Sequence, residues 1–296
     1  MTRQAAGSSP RPSRPELSSL PLFERLSQLY FDLIEGDVPA THSHAASLAA
    51  ECRDAGMVGM LAYALVYLGA THALRGEFLD ARATAEEGLR IAADTGPTSL
   101  TEALAAVAAE LAAVTGDEEA CRARAGQARE PSGGAQTFAS AGANLALTLL
   151  DLGSARYQAA LNRMQEGTNG PARHSPQLLY AYPDHVEAAI RAGRPDLAAR
   201  PLAQFTAWAG AIGQPWAAAV AVRSCGWPQA ARRTSRSARS CSCPRGPWAI
   251  TCTRPFPSSA SPPARNWRAT RHNLTAGQND RAGQVIVTEA AGRRCP

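Results

Sequence analysis

Five glycines recur along the first two thirds of this chain at a nearly constant spacing, and this period constrains the fold more than any other feature. They are separated by 40, 40, 37 and 40 residues, at Gly36, Gly76, Gly116, Gly153 and Gly193. Each follows apolar residues at helical spacing, and glycine readily adopts the left-handed conformation that ends a helix. Such a period is typical of stacked helix pairs that bury their apolar faces against neighbouring pairs.

The expected architecture is therefore an all-α fold, an α-solenoid of about five tetratricopeptide-like helix pairs. The pairs run from Pro21 to roughly Trp208, and one further helix begins at Pro215. The helix-breaking segments 131–134 and 167–171, which contain glycine and proline, end the second helices of pairs and do not separate domains. Because the period exceeds the roughly 34 residues of a standard tetratricopeptide repeat, we expect divergent units.

A small residue follows four of the five glycine joints at the fifth position, where it lets the second helix approach the first closely. These residues are Thr41, Ala81, Cys121 and Ala198. After the fourth glycine the position holds Gln158, and Ala159 beside it indicates one inserted residue. Only 6% of the residues are aromatic and alanine dominates the apolar set, which also favours closely packed helices.

The residue types exclude several classes of enzyme. All thirty basic residues are arginine, so neither a phosphate-binding loop of the Gly-Lys type nor a lysine catalyst is present. Serine, histidine and aspartate are scattered, without the Gly-x-Ser-x-Gly turn of a hydrolase. We expect no enzymatic activity, no catalytic residues and no cofactor.

Metal binding is not expected either. His42 and His44 lie two residues apart, so on a helix they point to different sides, and no third ligand is near in the sequence. Cys241, Cys243 and Cys252 lack the two-residue loop of a zinc knuckle. The odd count of seven widely spaced cysteines indicates a reducing cytoplasm. The uncharged stretch 57–74 is interrupted by polar residues and glycines, which favours a buried helix over a membrane span.

Four tyrosines lie on first helices of their pairs, the helices that line the concave face of related solenoids. They are Tyr63, Tyr67, Tyr180 and Tyr182. Two interpretations remain open: the rings contact a protein, peptide or small effector, or they pack in the core.

Composition and charge together divide the chain into three expected regions. Residues 1–20 are a disordered leader, residues 21–225 the helical domain, and residues 226–296 a disordered tail rich in Arg, Ser and Pro. Residues 1–225 have a net charge of −5, with 18 Arg and 23 acids, whereas the tail has +10, with 12 Arg and 2 acids. The tail is either a basic arm that binds nucleic acid non-specifically or a product of codon composition. Specific DNA binding is not expected.

The stretch from Pro183 to Arg194 resembles a segment of the LuxR-type ATP-dependent transcription regulators, the maltose-regulator-like class. In that family a Pro-Asp-x-Val-Glu-Ala-Ala-x-Arg-Ala-Gly-Arg run leads into a helix with Phe and Trp-Ala, then Pro-Trp-Ala and Arg-x-Cys. The corresponding residues are Phe205, Trp208-Ala209, Pro215-Trp216-Ala217 and Arg223-Ser-Cys225. Residues 115–121 are similar to another family segment. The resemblance covers roughly 22–225 and implies a helical sensor region.

In the family, an ATPase domain precedes this region and a DNA-binding helix-turn-helix follows it, and neither pattern is found in this sequence. After Cys225 the helical periodicity is lost. Reading the codons of residues 248–268 two nucleotides further on permits two family-like helical segments in the correct order. We therefore expect the tail to be out of frame.

Overall fold

In the computed structural model, the chain is described for residues 20–95, 98–129, 138–170, 173 and 175–237. Within these ranges the regular structure is entirely helical, which confirms the all-α prediction. The helices are α1 (Leu22–Ile34), α2 (Val38–Asp54), α3 (Val58–Arg75), α4 (Phe78–Thr95), α5 (Thr98–Thr115), α6 (Glu118–Arg129), α7 (Phe138–Gly153), α8 (Tyr157–Asn169), α9 (Gln177–Arg191), α10 (Ala199–Ile212) and α11 (Pro215–Ser237). A short 3-10 helix, Pro195–Ala198, leads into α10.

Helices that follow one another in the chain are neighbours in the structure. Each packs against the next in the chain, and each odd-numbered helix also packs against the next odd-numbered one, from α1 to α11. The odd-numbered helices therefore form one continuous row. The predicted number of ten paired helices plus one more agrees with the helices of the described residues.

Four of the five predicted glycine joints have the expected backbone conformation. Gly36, Gly76, Gly116 and Gly193 have φ angles of 67°, 79°, 80° and 74°. At each of them the glycine N–H bonds to the carbonyl three residues back, and the next N–H bonds to the carbonyl five residues before it. This is the Schellman motif, which satisfies two carbonyls that the helix end leaves without partners.

The prediction that Gly153 adopts this left-handed conformation is wrong. α7 continues to Gly153, and the left-handed residue is Ala155, with φ of 58°. The same pair of bonds forms there, from Ala155 N to Leu152 O at 3.2 Å and from Arg156 N to Asp151 O at 2.8 Å. The Arg156 guanidinium also donates to the Asp151 carboxylate across this turn at 2.8 Å. This ion pair stabilises a register in which alanine occupies a position that favours glycine.

Counting from Ala155 removes the apparent irregularity in the small residues. The fifth position after it is Ala160, so the inserted residue inferred from Ala159 is wrong. The five small residues are all 0% exposed: Thr41, Ala81, Cys121, Ala160 and Ala198. The first four are the fourth residues of α2, α4, α6 and α8, and Ala198 directly precedes α10. A larger side chain at these positions would push the packed helices apart.

α11 extends beyond the predicted end of the helical domain. It runs to Ser237, twelve residues past Cys225. Gln, Ala and Arg, all good helix formers, make up much of this extension. The predicted leader, apart from Leu20, and the predicted tail from 238 onward lie outside the described residues.

One described helix, α5, is long and apolar enough to span a membrane by length and composition. Half of its 18-residue window is buried against other helices. It packs against α3, α4, α6 and α7. A core helix of a soluble protein passes the same test, so this is weak evidence for a membrane span.

Candidate functional site

The C-terminal end of α1 is capped by aromatic side chains from the far end of the helical region. Trp208 Nε1 donates to Ile34 O at 3.0 Å, and Trp216 Nε1 donates to Gly36 O at 2.9 Å. The Tyr180 hydroxyl donates to Leu33 O. We call Tyr180, Trp208 and Trp216 the aromatic clasp. It ties the first joint to α9, α10 and α11.

The rings of the aromatic clasp also pack against one another. Tyr180 stacks on Trp216 with centroids 5.6 Å apart and lies edge-on to Trp208 at 5.4 Å. Phe205, fully buried, contacts Trp208 at 5.6 Å. Aromatic pairs in these geometries stabilise a core by about 0.5–1.5 kcal/mol beyond their burial. The clasp is therefore both a set of donors and an apolar core.

Gly36 is required at the clasp for two reasons. Its φ of 67° favours glycine, and a Cβ there would lie 2.7 Å from Ile212 Cδ1. The Cζ2 atoms of Trp208 and Trp216 would be 3.4 Å from the same Cβ. The first joint and the clasp thus approach each other as closely as their backbone and rings permit.

Local sequence positions the two indoles on either side of one turn. α10 ends at Ile212 and is capped by Gly213, which has a φ of 66°, and α11 begins at Pro215. Proline at the first helical position loses no hydrogen bond and has the φ that a helix requires. This compact turn places Trp208 and Trp216 with centroids 5.7 Å apart.

The structure brings three of the four predicted tyrosines together and separates the fourth. Tyr180 and Tyr182 are each 7% exposed in the cluster around the clasp, and Tyr67 packs against it. Burial, with a smaller contribution from Tyr30, raises the pKa of Tyr67 to about 12. Tyr63 is 36% exposed. Of the two interpretations that the sequence left open, core packing describes Tyr180 and Tyr182, and Tyr63 remains accessible to a ligand.

A polar cluster at the second joint joins His42 of α2, His72 of α3 and Glu77. One ligand atom from each lies within 4.8 Å of the others. The imidazole rings meet edge to face with centroids 4.6 Å apart, and His72 Nδ1 lies 2.7 Å from Glu77 Oε2. In the sequence we found no third ligand near His42. In the folded chain, however, two further potential ligands lie close to it. His72 and Glu77 lie 30 and 35 residues later in the chain, so only the packing of α2 on α3 reveals them.

Hydrogen bonds define which ring atoms of this cluster carry protons. The Thr71 hydroxyl donates to Tyr67 O, so its oxygen accepts from His42 Nδ1 at 3.3 Å. The ionised Glu77 only accepts, so His72 Nδ1 donates to it. Burial lowers the pKa of His42, and the charges of Arg75 and His72 lower it further. Burial opposes ionisation of Glu77, but hydrogen bonds from Arg75 and His72 outweigh it and lower the pKa of Glu77 to about 2.

The segment that carries the family resemblance begins within α9, a largely buried helix. Asp184, His185 and Glu187 are all buried there. Burial and the charge of Arg200 lower the pKa of His185 to about 4. Its Nδ1 has no hydrogen-bond partner among the described residues. Burial raises the pKa of Glu187, although its ion pair with Arg191 opposes the shift. This helix is core, which leaves the clasp and the second joint as the distinctive sites.

These features define an all-α protein whose first joint is capped by its last helices. No model of a known protein family matches the chain, and no match is found among functionally characterised proteins.

Proposed function

We propose that this chain is a non-enzymatic helical-repeat interaction module, an α-solenoid of about five divergent tetratricopeptide-like pairs. The observation that carries the proposal is the fivefold recurrence of one joint. A left-handed residue, two Schellman hydrogen bonds and a fully buried small residue five positions later occur together at every joint. Repeats of this kind serve as binding scaffolds, because stacking produces extended surfaces.

The resemblance to the sensor region of LuxR-type regulators supports the same proposal. Trp208 and the Pro215-Trp216 pair belong to the segments that carry the resemblance, and both indoles are part of the aromatic clasp. A shared motif that builds a specific contact is a physical reason for sequence similarity. In this proposal residues 22–225 correspond to the region between the family's ATPase and DNA-binding domains.

The exposed apolar side chains indicate where a peptide or protein partner would bind. Phe23 and Phe31 on α1 are 79% and 56% exposed, and Val58 and Tyr63 on α3 are 45% and 36% exposed. α1 packs against α3, so the four residues lie on neighbouring helices. Exposed aromatic side chains are enriched at protein interfaces. A small effector that binds the same surface would use the same rings.

Selection of peptides from a random display library tests this proposal. We expect an enriched peptide motif whose binding is lost in Tyr63→Ser and Phe31→Ser. Leu79→Ser, which alters an isolated exposed side chain on α4, is the matched control and retains binding. An interaction role for this surface would be contradicted if no motif is enriched. It would also be contradicted if the enriched motif binds Tyr63→Ser and Phe31→Ser as well as it binds Leu79→Ser.

A second candidate is a nucleic-acid-associated protein that uses its basic segment, because residues 226–296 carry a net charge of +10. Duplex DNA binding by the whole chain should then weaken steeply with salt. A chain that ends at Ser237 keeps Arg232, Arg233 and Arg236 within α11, so the test also needs these three changed to Gln. Loss of salt-sensitive binding in the combined variant favours this candidate. Equal binding by all forms contradicts it.

A further inference from the structure

The geometry points to a binding site for one divalent transition-metal ion, such as Zn²⁺, formed by His42, His72 and Glu77 at the second joint. The three side chains are half-buried, and their ligand atoms lie within 4.8 Å of one another. Two imidazoles, one carboxylate and a solvent molecule make a donor set that zinc adopts in proteins. Imidazole also suits copper and nickel, so the donor set indicates the class of ion and does not select one member of that class.

The hydrogen bonds of the cluster assign one ligand atom to each residue. His42 uses Nδ1 to contact Thr71, which leaves Nε2 for the ion. Glu77 Oε1 accepts from Arg75 Nε at 2.8 Å, which leaves Oε2. Oε2 already lies 2.7 Å from His72 Nδ1. The ion would take the place of the proton on His72 Nδ1, and the neutral imidazole would then carry its one proton on Nε2 instead.

Neighbouring side chains already hold the ligands as the outer shell of a metal site does. Thr71 orients the His42 ring, and Arg75 orients the Glu77 carboxylate. Such partners fix the ligand geometry, and their loss commonly weakens metal binding about 10- to 100-fold. The positive charge of Arg75 opposes a cation, so we expect moderate affinity. Tetrahedral zinc needs ligand atoms about 3.3 Å apart, so His42 must move inward on binding.

The position of the site gives it a structural consequence. His42 belongs to α2, His72 to the last turn of α3, and Glu77 to the connection between α3 and α4. An ion held by all three would crosslink the first helix pair to the second. Metal binding would therefore raise the thermal stability of this end of the helical region.

Isothermal titration of the tag-free full chain with Zn²⁺, together with Co²⁺ absorption spectroscopy, tests the site. We expect one equivalent to bind at micromolar concentration, with at least about tenfold weaker binding in His42→Gln and in Glu77→Gln. His44→Gln is the matched control, because His44 contacts Asp32 on the other side of α2. Nitrogen and oxygen ligation of Co²⁺ gives visible bands without the strong near-ultraviolet bands of thiolate ligation, which separates this site from the cysteines.

Nuclear magnetic resonance of the histidine rings in the unaltered chain provides a test that does not depend on folding of the variants. Zn²⁺ should shift the ring signals of His42 and His72 and leave those of His44 and His185 unchanged. Unchanged signals for His42 and His72 at saturating Zn²⁺ would overturn the proposal. Equal zinc affinity in His42→Gln, or cobalt bands of thiolate character alone, would overturn it as well.

Discussion

The indole nitrogen of Trp216 donates a hydrogen bond to the carbonyl oxygen of Gly36, a residue 180 positions earlier in the chain. Gly36 lies in the connection between α1 and α2, so its carbonyl belongs to neither helix. A side chain of the last described helix thus completes the first joint. The two ends of the helical region are consequently part of one core, in which α1, α2, α9, α10 and α11 all contribute buried residues.

Replacing Trp216 by Phe is expected to lower the free energy of unfolding by about 1–3 kcal/mol. The phenyl ring keeps most of the apolar packing, but the buried Gly36 carbonyl loses its donor. Val222→Ala, at an exposed position of the same helix, should change stability by much less. Urea unfolding followed by circular dichroism measures both variants. A Trp216→Phe chain as stable as the wild type would show that the hydrogen bond contributes nothing.

Replacing Ala155 by Gly is expected to raise the free energy of unfolding by about 1 kcal/mol. The left-handed conformation costs alanine roughly 1–2 kcal/mol, part of which the greater freedom of unfolded glycine offsets. Gly116→Ala should have the opposite sign, because φ there is 80°. Gly126→Ala is the control, because it makes the same change at an ordinary position within α6. No atom lies near the new Cβ there, so this variant should be more stable than the wild type. Thermal denaturation ranks the three variants.

Gly36→Ala should destabilise the chain more than Gly193→Ala, by about 1–3 kcal/mol. Both positions have similar left-handed angles, but only at Gly36 does the new Cβ meet another side chain, Ile212 Cδ1 at 2.7 Å. The difference between the variants therefore reports the close approach of the two ends. Equal losses of stability in chemical denaturation would mean that the ends are not packed at this distance in solution.

His185 should make stability depend on pH between about 4 and 6.5. Its pKa is about 4 in the folded chain against 6.5 for a free histidine. The unfolded chain binds this proton more readily, so the free energy of unfolding rises with pH across the interval. The raised pKa of Glu187 acts in the opposite direction, so the comparison must be with His185→Leu. Between pH 4.5 and 6.5 the stability of that variant should change by about 2 kcal/mol less than that of the wild type.

The same pH series contains its own check. At pH 7 both the wild type and His185→Leu hold an uncharged side chain at this position, so their difference reflects packing and the lost imidazole alone. If the two stability curves run parallel from pH 4.5 to 6.5, His185 is not the buried group described above.

The local parts of this fold were predictable because they depend on short-range chemistry. Gly76 and Gly116 each end a helix because glycine readily adopts the left-handed conformation. Pro215 begins one because its φ angle suits the first helical position. The exception is Ala155, since the sequence gives no signal for a left-handed alanine. The sequence favours Gly153, two residues earlier, as the left-handed residue. The predicted position of the small residue in α8 was therefore two residues too early.

The long-range parts were not predictable in this way. The contact of Tyr180 with Leu33 joins residues 147 positions apart, and no local pattern encodes it. The cluster of His42 with His72 needs only the packing of α2 on α3, but the register between the two helices must be known. Sequence spacing therefore identified His42 as a potential ligand and missed both of its partners.

Hydrogen exchange followed by mass spectrometry, comparing the wild type with Trp216→Ala, tests the central claim most directly. In an array held by nearest-neighbour contacts alone, loss of Trp216 would loosen α10 and α11 first and leave α1 protected. The aromatic clasp predicts faster exchange in α1 and α2 as well as in α10 and α11, while α5 and α6 change little. Faster exchange confined to α9, α10 and α11, with α1 and α2 as protected as in the wild type, would contradict the account.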